Sequence, residues 1–172
     1  GSSAGLDLTS GGENVFIGKF AGSNITTTGD NVAIGYQALS TPTTAGSNTA
    51  IGVSAMQSIQ AGQAVSSCVA IGRLALTGGG STTTGINGTV AVGYQALTAL
   101  TTGAYNTAIG YQSGMALTTG LANTFLGYQA GLDADTDTAN AQYCTYIGYL
   151  AGAYVDDGLE NTAVGAFALG SS

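Results

Sequence analysis

Carboxylates are the side chains of this sequence that could do acid–base chemistry, because the chain contains no histidine. A general acid and its partner base need carboxylates in different environments across a cleft, and nothing in the pattern indicates a cleft. Several of the acids lie in loops, where charged groups are normally solvated. The sequence therefore predicts a protein that is not an enzyme and needs no cofactor. The acids are Asp7, Glu13, Asp30, Asp133, Asp135, Asp137, Asp156, Asp157 and Glu160.

One acidic loop has part of a metal-binding pattern. Asp133, Asp135 and Asp137 alternate as carboxylates do at the start of a calcium loop. The glycine expected at the sixth position is Thr138, and the glutamate expected at the twelfth is Cys144. A solvated acidic loop is therefore the favoured interpretation, and these three residues are a weak metal candidate.

Composition excludes two classes of partner. The net charge is −7, with Lys19 and Arg73 as the positive side chains, so the phosphate backbone of a nucleic acid would be repelled. No apolar run approaches the roughly 18 residues of a membrane helix, so membrane insertion is not expected. Charged residues make up 6% of the chain, against roughly 25% in an average soluble domain. With 29 glycines and one proline among 172 residues, this bias indicates a repetitive β architecture.

A short motif recurs along the whole chain and positions every other feature. Asn14–Gly22 is echoed by Asn31–Leu39 and Asn48–Met56, and the motif occurs nine times at spacings of 17 to 21 residues. We interpret residues 1–172 as one solenoid domain, with a half coil at 1–13, full repeats at 14–169 and a tail at 170–172. The central glycines are Gly18, Gly35, Gly52, Gly72, Gly93, Gly110, Gly127, Gly148 and Gly165.

The motif columns predict an all-β, parallel β-solenoid of about nine coils. Each repeat is expected to form a strand, a bend at the glycine, a second strand and a loop rich in Thr and Gly. Stacked at ~4.8 Å, nine coils give a rod roughly 40 Å long. The column before the glycine is always aliphatic, from Ile17 to Val164, and is expected to be the buried spine. Three residues after the glycine, Ala or Ser from Ala21 to Ala168 indicates a tight space.

A column of asparagines precedes the glycine by four residues. We interpret it as structural, each amide hydrogen-bonding the backbone of its own short loop. Cys68, Thr89 and Cys144 take this place after the longer loops. The two cysteines are expected four coil spacings apart, or roughly 19 Å, which predicts buried free thiols, with pairing between chains as the alternative. The asparagines are Asn14, Asn31, Asn48, Asn106, Asn123 and Asn161.

Tyrosines follow several of the motif glycines. Four come from consecutive coils, so stacking predicts a ladder that either packs against a neighbouring chain, which we favour, or presents flat rings to sugars. The Thr-rich loops also raise the hypothesis of ice binding. Against it, consecutive threonines would point to opposite faces of a strand. The tyrosines are Tyr36, Tyr94, Tyr111, Tyr128 and Tyr149.

The sequence resembles the Asn-Thr-Ala-Ile-Gly-Tyr-Gln-Ala-Leu repeats of bacteriophage tail-fibre-like proteins, and is similar to the head repeats of trimeric autotransporter adhesins. The match is most faithful at Asn31–Leu39, Asn106–Gly114 and Asn161–Leu169. The resemblance implies a left-handed β-roll, commonly trimeric, displayed on a virion or bacterial surface. Phage and cellular origins both stay open.

These observations predict a structural or adhesive segment of an extracellular, cell-surface or virion fibre. Neither end shows the polar cap of a solenoid, which favours a segment excised from a longer fibre protein over a head-to-tail filament of copies. The expected partner is the chain itself, as a homotrimer or filament, with a host-surface glycan or receptor as a further possibility. The alternative function is a ligand-binding solenoid for ice or glycan.

Overall fold

Nine short strands form one parallel sheet in chain order. The computed structural model describes residues 1–41, 44, 46–59, 65–79, 83–134, 141–155 and 159–170, and no helix among them is long and apolar enough to cross a membrane. The predicted parallel β-solenoid is confirmed. The strands are β1 (Val15–Ile17), β2 (Val32–Ile34), β3 (Thr49–Ile51), β4 (Val69–Ile71), β5 (Val90–Val92), β6 (Thr107–Ile109), β7 (Thr124–Leu126), β8 (Thr145–Ile147) and β9 (Thr162–Val164).

The strands pair without any shift in register, because each repeat presents the same three positions to the next. Val15 pairs with Val32 and Ile17 with Ile34, and the same correspondence holds through β9. The half coil at 1–13 continues this stacking: Gly5 N donates to Ala21 O at 2.9 Å, and Ala4 N donates to Gly1 O as Ala21 N donates to Gly18 O. Residues at equivalent positions of successive repeats are therefore direct neighbours in the structure.

The middle residue of each strand, not the last, points into the core. The predicted aliphatic spine is wrong: Ile17 is 56% exposed, Leu126 43% and Val164 66%. Side chains alternate along a strand, so a three-residue strand with its centre inward turns both ends outward. The buried middle residues are Ala33, Ala50, Ala70, Ala91, Ala108, Phe125, Tyr146 and Ala163.

The predicted second strand is also wrong, because that segment is a run of turns. Two of its residues per repeat adopt a left-handed backbone, as Gln37 does at φ 56° and Leu39 at φ 48°. This curls the chain so that Ala38 and Leu39 both enter the core, whereas a strand would send them to opposite sides. The coils still bond to one another here: Gln37 N donates to Lys19 O at 3.0 Å, and Leu39 N to Ala55 O at 2.9 Å.

In eight of the nine repeats, a large residue in the strand centre goes with a small one in the turn segment, or the reverse; the exception is Ala108 with Gly114, where Leu97 and Phe125 of the adjacent coils lie beside the glycine. Where the residue four places after the motif glycine is large, as at Leu39, the strand centre is alanine. Where that residue is Gly131 or Gly152, the centre is Phe125 or Tyr146, and a Cβ on either glycine would lie within 3 Å of the facing ring. Phe125 and Tyr146 stack at 5.4 Å between ring centroids. The column of Ala or Ser three residues after the motif glycine was predicted to lie in a tight space. This is confirmed, because its members from Ala21 to Ala151 are buried.

Candidate interaction surfaces

The asparagine column forms ladders that run between coils. Asn31 Nδ2 donates to Asn14 Oδ1 at 3.1 Å and to Gly29 O of its own loop at 3.1 Å. Asn31 thus bonds its own loop, as predicted, and also the preceding coil. Asn48 and Asn123 instead donate to the loop of the following coil, at Val65 O and Ala141 O, so the prediction that each amide bonds its own loop is only partly right. Asn48 continues this run. These amides are committed to holding coils together, so they do not form a ligand site.

Each ladder ends on a cysteine that replaces asparagine. Cys68 N donates to Asn48 Oδ1 at 3.0 Å, and Cys144 N donates to Asn123 Oδ1 at 2.9 Å. Both thiols are buried and unbridged, as predicted. The Cys68 thiol donates to Ile86 O at 3.1 Å, and burial raises its pKa above the ordinary value of 9.0.

The raised pKa of Cys68 predicts a loss of stability in alkali. The unfolded chain gives up this proton at lower pH than the folded chain, so the thiol's contribution is complete below about pH 9 and falls as the pH rises. Between about pH 8 and about pH 10, the midpoint of urea unfolding should therefore fall less for Cys68→Val than for the unmodified protein. An equal fall of the midpoint in both proteins would contradict the raised pKa of Cys68.

Among the residues that the structure describes, the carboxylates do not converge on one centre. Asp133 is half-buried and its backbone N donates to Ala153 O at 3.0 Å, whereas Asp135 and Asp137 of the weak calcium candidate lie outside the described residues. Within the described ranges no three His, Cys, Asp or Glu side chains form a group that could hold a metal ion. A shallow depression near Thr102, Thr119 and Gln142 is lined by no titratable side chain.

Four tyrosines from consecutive repeats stack into what we term the tyrosine row: Tyr94, Tyr111, Tyr128 and Tyr149. Successive ring centroids lie 5.3, 5.3 and 5.1 Å apart, with interplanar angles of 22°, 6° and 11°. The last three rings are 42–49% exposed. Tyr36 stands apart from the row, in an edge contact with Phe20 at 6.3 Å. In-register stacking of consecutive repeats therefore aligns these four rings.

The faces of these rings are already occupied. Each ring covers its neighbour, Arg73 lies over Tyr94 at 5.6 Å, and Phe167 packs against Tyr149 in a T-shaped contact at 5.3 Å. The row consequently presents ring edges and hydroxyls to a partner, and stacking of a sugar on a free face is disfavoured. Beside it, an amide ladder joins Gln129 through Gln112 to Gln95 at 2.8 and 2.9 Å.

A second surface is the outside of the sheet, which we term the sheet face. It consists of the first and third residues of β1–β9, and it contains no charged side chain. Its first column is Val15, Val32, Thr49, Val69, Val90, Thr107, Thr124, Thr145 and Thr162; its second is Ile17, Ile34, Ile51, Ile71, Val92, Ile109, Leu126, Ile147 and Val164. All are exposed or half-exposed. Sequence reasoning missed this surface because it placed the second column in the core.

The chain matches no family model, and neither the curated proteins nor the solved structures include a significant match.

Proposed function

We propose that this chain is a structural segment of an extracellular, cell-surface or virion fibre whose copies associate through the tyrosine row. The single observation that carries the proposal is the stack of half-exposed rings in four consecutive repeats, with Arg73 at one end. Tyr and Arg are enriched among the residues that dominate protein–protein binding energy. The segment acts as a rigid rod and has no catalytic activity. A host-surface receptor or glycan is a further partner of the assembled fibre.

The rings are ordered before any partner arrives. Immobilising a flexible side chain at an interface costs roughly 0.5–1.5 kcal/mol, and stacking at 5.1–5.3 Å has already removed much of that freedom. The glutamine ladder holds the adjacent turn segment in place. Such preorganisation favours binding between rigid rods. A trimer agrees with the resemblance of the motif to fibre repeats.

Charged substitutions in the row should separate the copies. At about 2 kcal/mol for each hot-spot tyrosine, Tyr111→Lys with Tyr128→Lys should weaken association on the order of 1,000-fold. Size-exclusion chromatography with light scattering measures the mass, and electron microscopy distinguishes a trimer from a filament. The matched control is Tyr105→Lys, because Tyr105 is 67% exposed and lies outside the row. A monomeric unmodified protein, or an equal effect of the control, would rule out the proposal.

A further inference from the structure

The sheet face is a regular array that the proposed association does not use. Of its 18 residues, 17 are β-branched, Leu126 being the other. β-Branched side chains are stiff at χ1, so their methyl and hydroxyl groups keep fixed directions. The in-register pairing repeats them every ~4.8 Å across the strands and every ~6.6 Å along each strand. The outcome is a lattice of rigid groups over all nine strands.

Hydroxyl groups are interspersed in this lattice. Five strands begin with threonine, and four of them, β6 to β9, are consecutive. These five hydroxyls make no side-chain hydrogen bond to another described residue. The threonines are single and stand at the same place in each strand, so the objection raised by the paired loop threonines does not apply to them. The face thus offers neutral methyl and hydroxyl groups at a crystal-like repeat.

We propose that the sheet face binds ice. Ice is neutral and periodic, and the face is a neutral double column that repeats across nine strands. The water molecules of ice can give the threonine hydroxyls the hydrogen bonds that the described residues do not. The methyl groups of both columns leave liquid water on contact, which is favourable. Nothing on the face needs to be ordered first, because the sheet is fixed by hydrogen bonds between coils.

A second copy of the chain fits this face less well. Burying five hydroxyls against protein costs free energy unless each finds a partner. The face also has none of the Tyr, Trp and Arg side chains that anchor protein interfaces, whereas the tyrosine row has both Tyr and a neighbouring Arg. The two surfaces of the chain therefore take partners of different chemistry.

Thermal hysteresis, together with partitioning of the protein into growing ice, tests the inference. The unmodified protein should show both. The double variant Thr107→Lys with Thr124→Lys places two charged side chains on β6 and β7. It should lower the hysteresis at least roughly tenfold, because a charge is costly to remove from liquid water. Thr124→Val keeps the shape and a γ-methyl group and should lower it by less than about twofold. Circular dichroism confirms that each variant is folded.

The controls separate this inference from the proposed fibre association. Tyr111→Lys with Tyr128→Lys should leave hysteresis unchanged while reducing the oligomer, and the double threonine variant should leave the oligomer unchanged. Absence of hysteresis in the unmodified protein, or its persistence in the double threonine variant, overturns the inference. A double threonine variant that loses its oligomer and not its hysteresis shows that a second copy covers the face, which also overturns it.

Discussion

Replacing Gly148 with alanine is expected to lower the free energy of unfolding by more than about 4 kcal/mol. The backbone at Gly148 has φ 135°, and a residue with an L side chain in this region is strained by about 1–3 kcal/mol. A Cβ would also lie 2.5 Å from the carbonyl oxygen of Gly165 in the next repeat, where only a shift of backbone could make room. The coil spacing is set by hydrogen bonds, so that shift would break the stacking.

Gly165→Ala is the matched control for the first prediction. Gly165 has nearly the same backbone, at φ 127°, but nothing lies within 4 Å of its added Cβ. Its alanine variant should therefore lose only the strain, of order 1–3 kcal/mol. Denaturant unfolding monitored by circular dichroism measures both. Equal losses would show that the backbone angle alone, and not the approach of coils, demands glycine in this column.

Replacing Asn123 with leucine is expected to cost about 2–5 kcal/mol of unfolding free energy. The Asn123 side chain accepts from Cys144 N at 2.9 Å and donates to Ala141 O at 2.8 Å, and all three residues are buried. Leucine has a similar shape but cannot form either of these hydrogen bonds. An orphaned buried polar group costs its full desolvation penalty, roughly 1–3 kcal/mol each.

Thr89→Val tests the same column without breaking a ladder. The Thr89 hydroxyl is buried and has no hydrogen-bond partner among the described residues. Valine preserves the shape and removes an unsatisfied group, so stability should rise by roughly 1 kcal/mol. Thermal unfolding of the two variants side by side provides the comparison. A loss in Thr89→Val comparable to that in Asn123→Leu would mean that packing, not hydrogen bonding, governs this column.

The position of the nine strands, their parallel order and their register could be predicted from the sequence. Recurrence of the motif at Gly18 through Gly165 places equivalent residues at intervals of 17 to 21 residues along the chain. Stacking is then the way in which every repeat buries its apolar groups. The tyrosine row follows from the same reasoning, because residues that share a column in a stacked array become neighbours in space.

Which side of each strand faces the core could not be predicted from alternation. Alternation divides Val32, Ala33 and Ile34 into two sides, and hydrophobicity favours the side with valine and isoleucine. The tertiary structure reverses that choice because the left-handed residues Gln37 and Leu39 curl the turn segment across the inner side of the strand. Beside a residue as large as Leu39, alanine leaves room at the strand centre, and the flanking valine and isoleucine point outward to form the sheet face.

One determinant of that choice is present in the sequence, although it is meaningful only once the coil is closed. Phe125 and Tyr146 occupy strand centres where Gly131 and Gly152 stand in the turn segment, and Ala33 occupies one where Leu39 does. The sequence by itself determined the repeat, the strands and the stacked columns. Only the tertiary structure decided which columns are buried, because burial depends on how the strand and the turn segment of stacked coils fill the interior together.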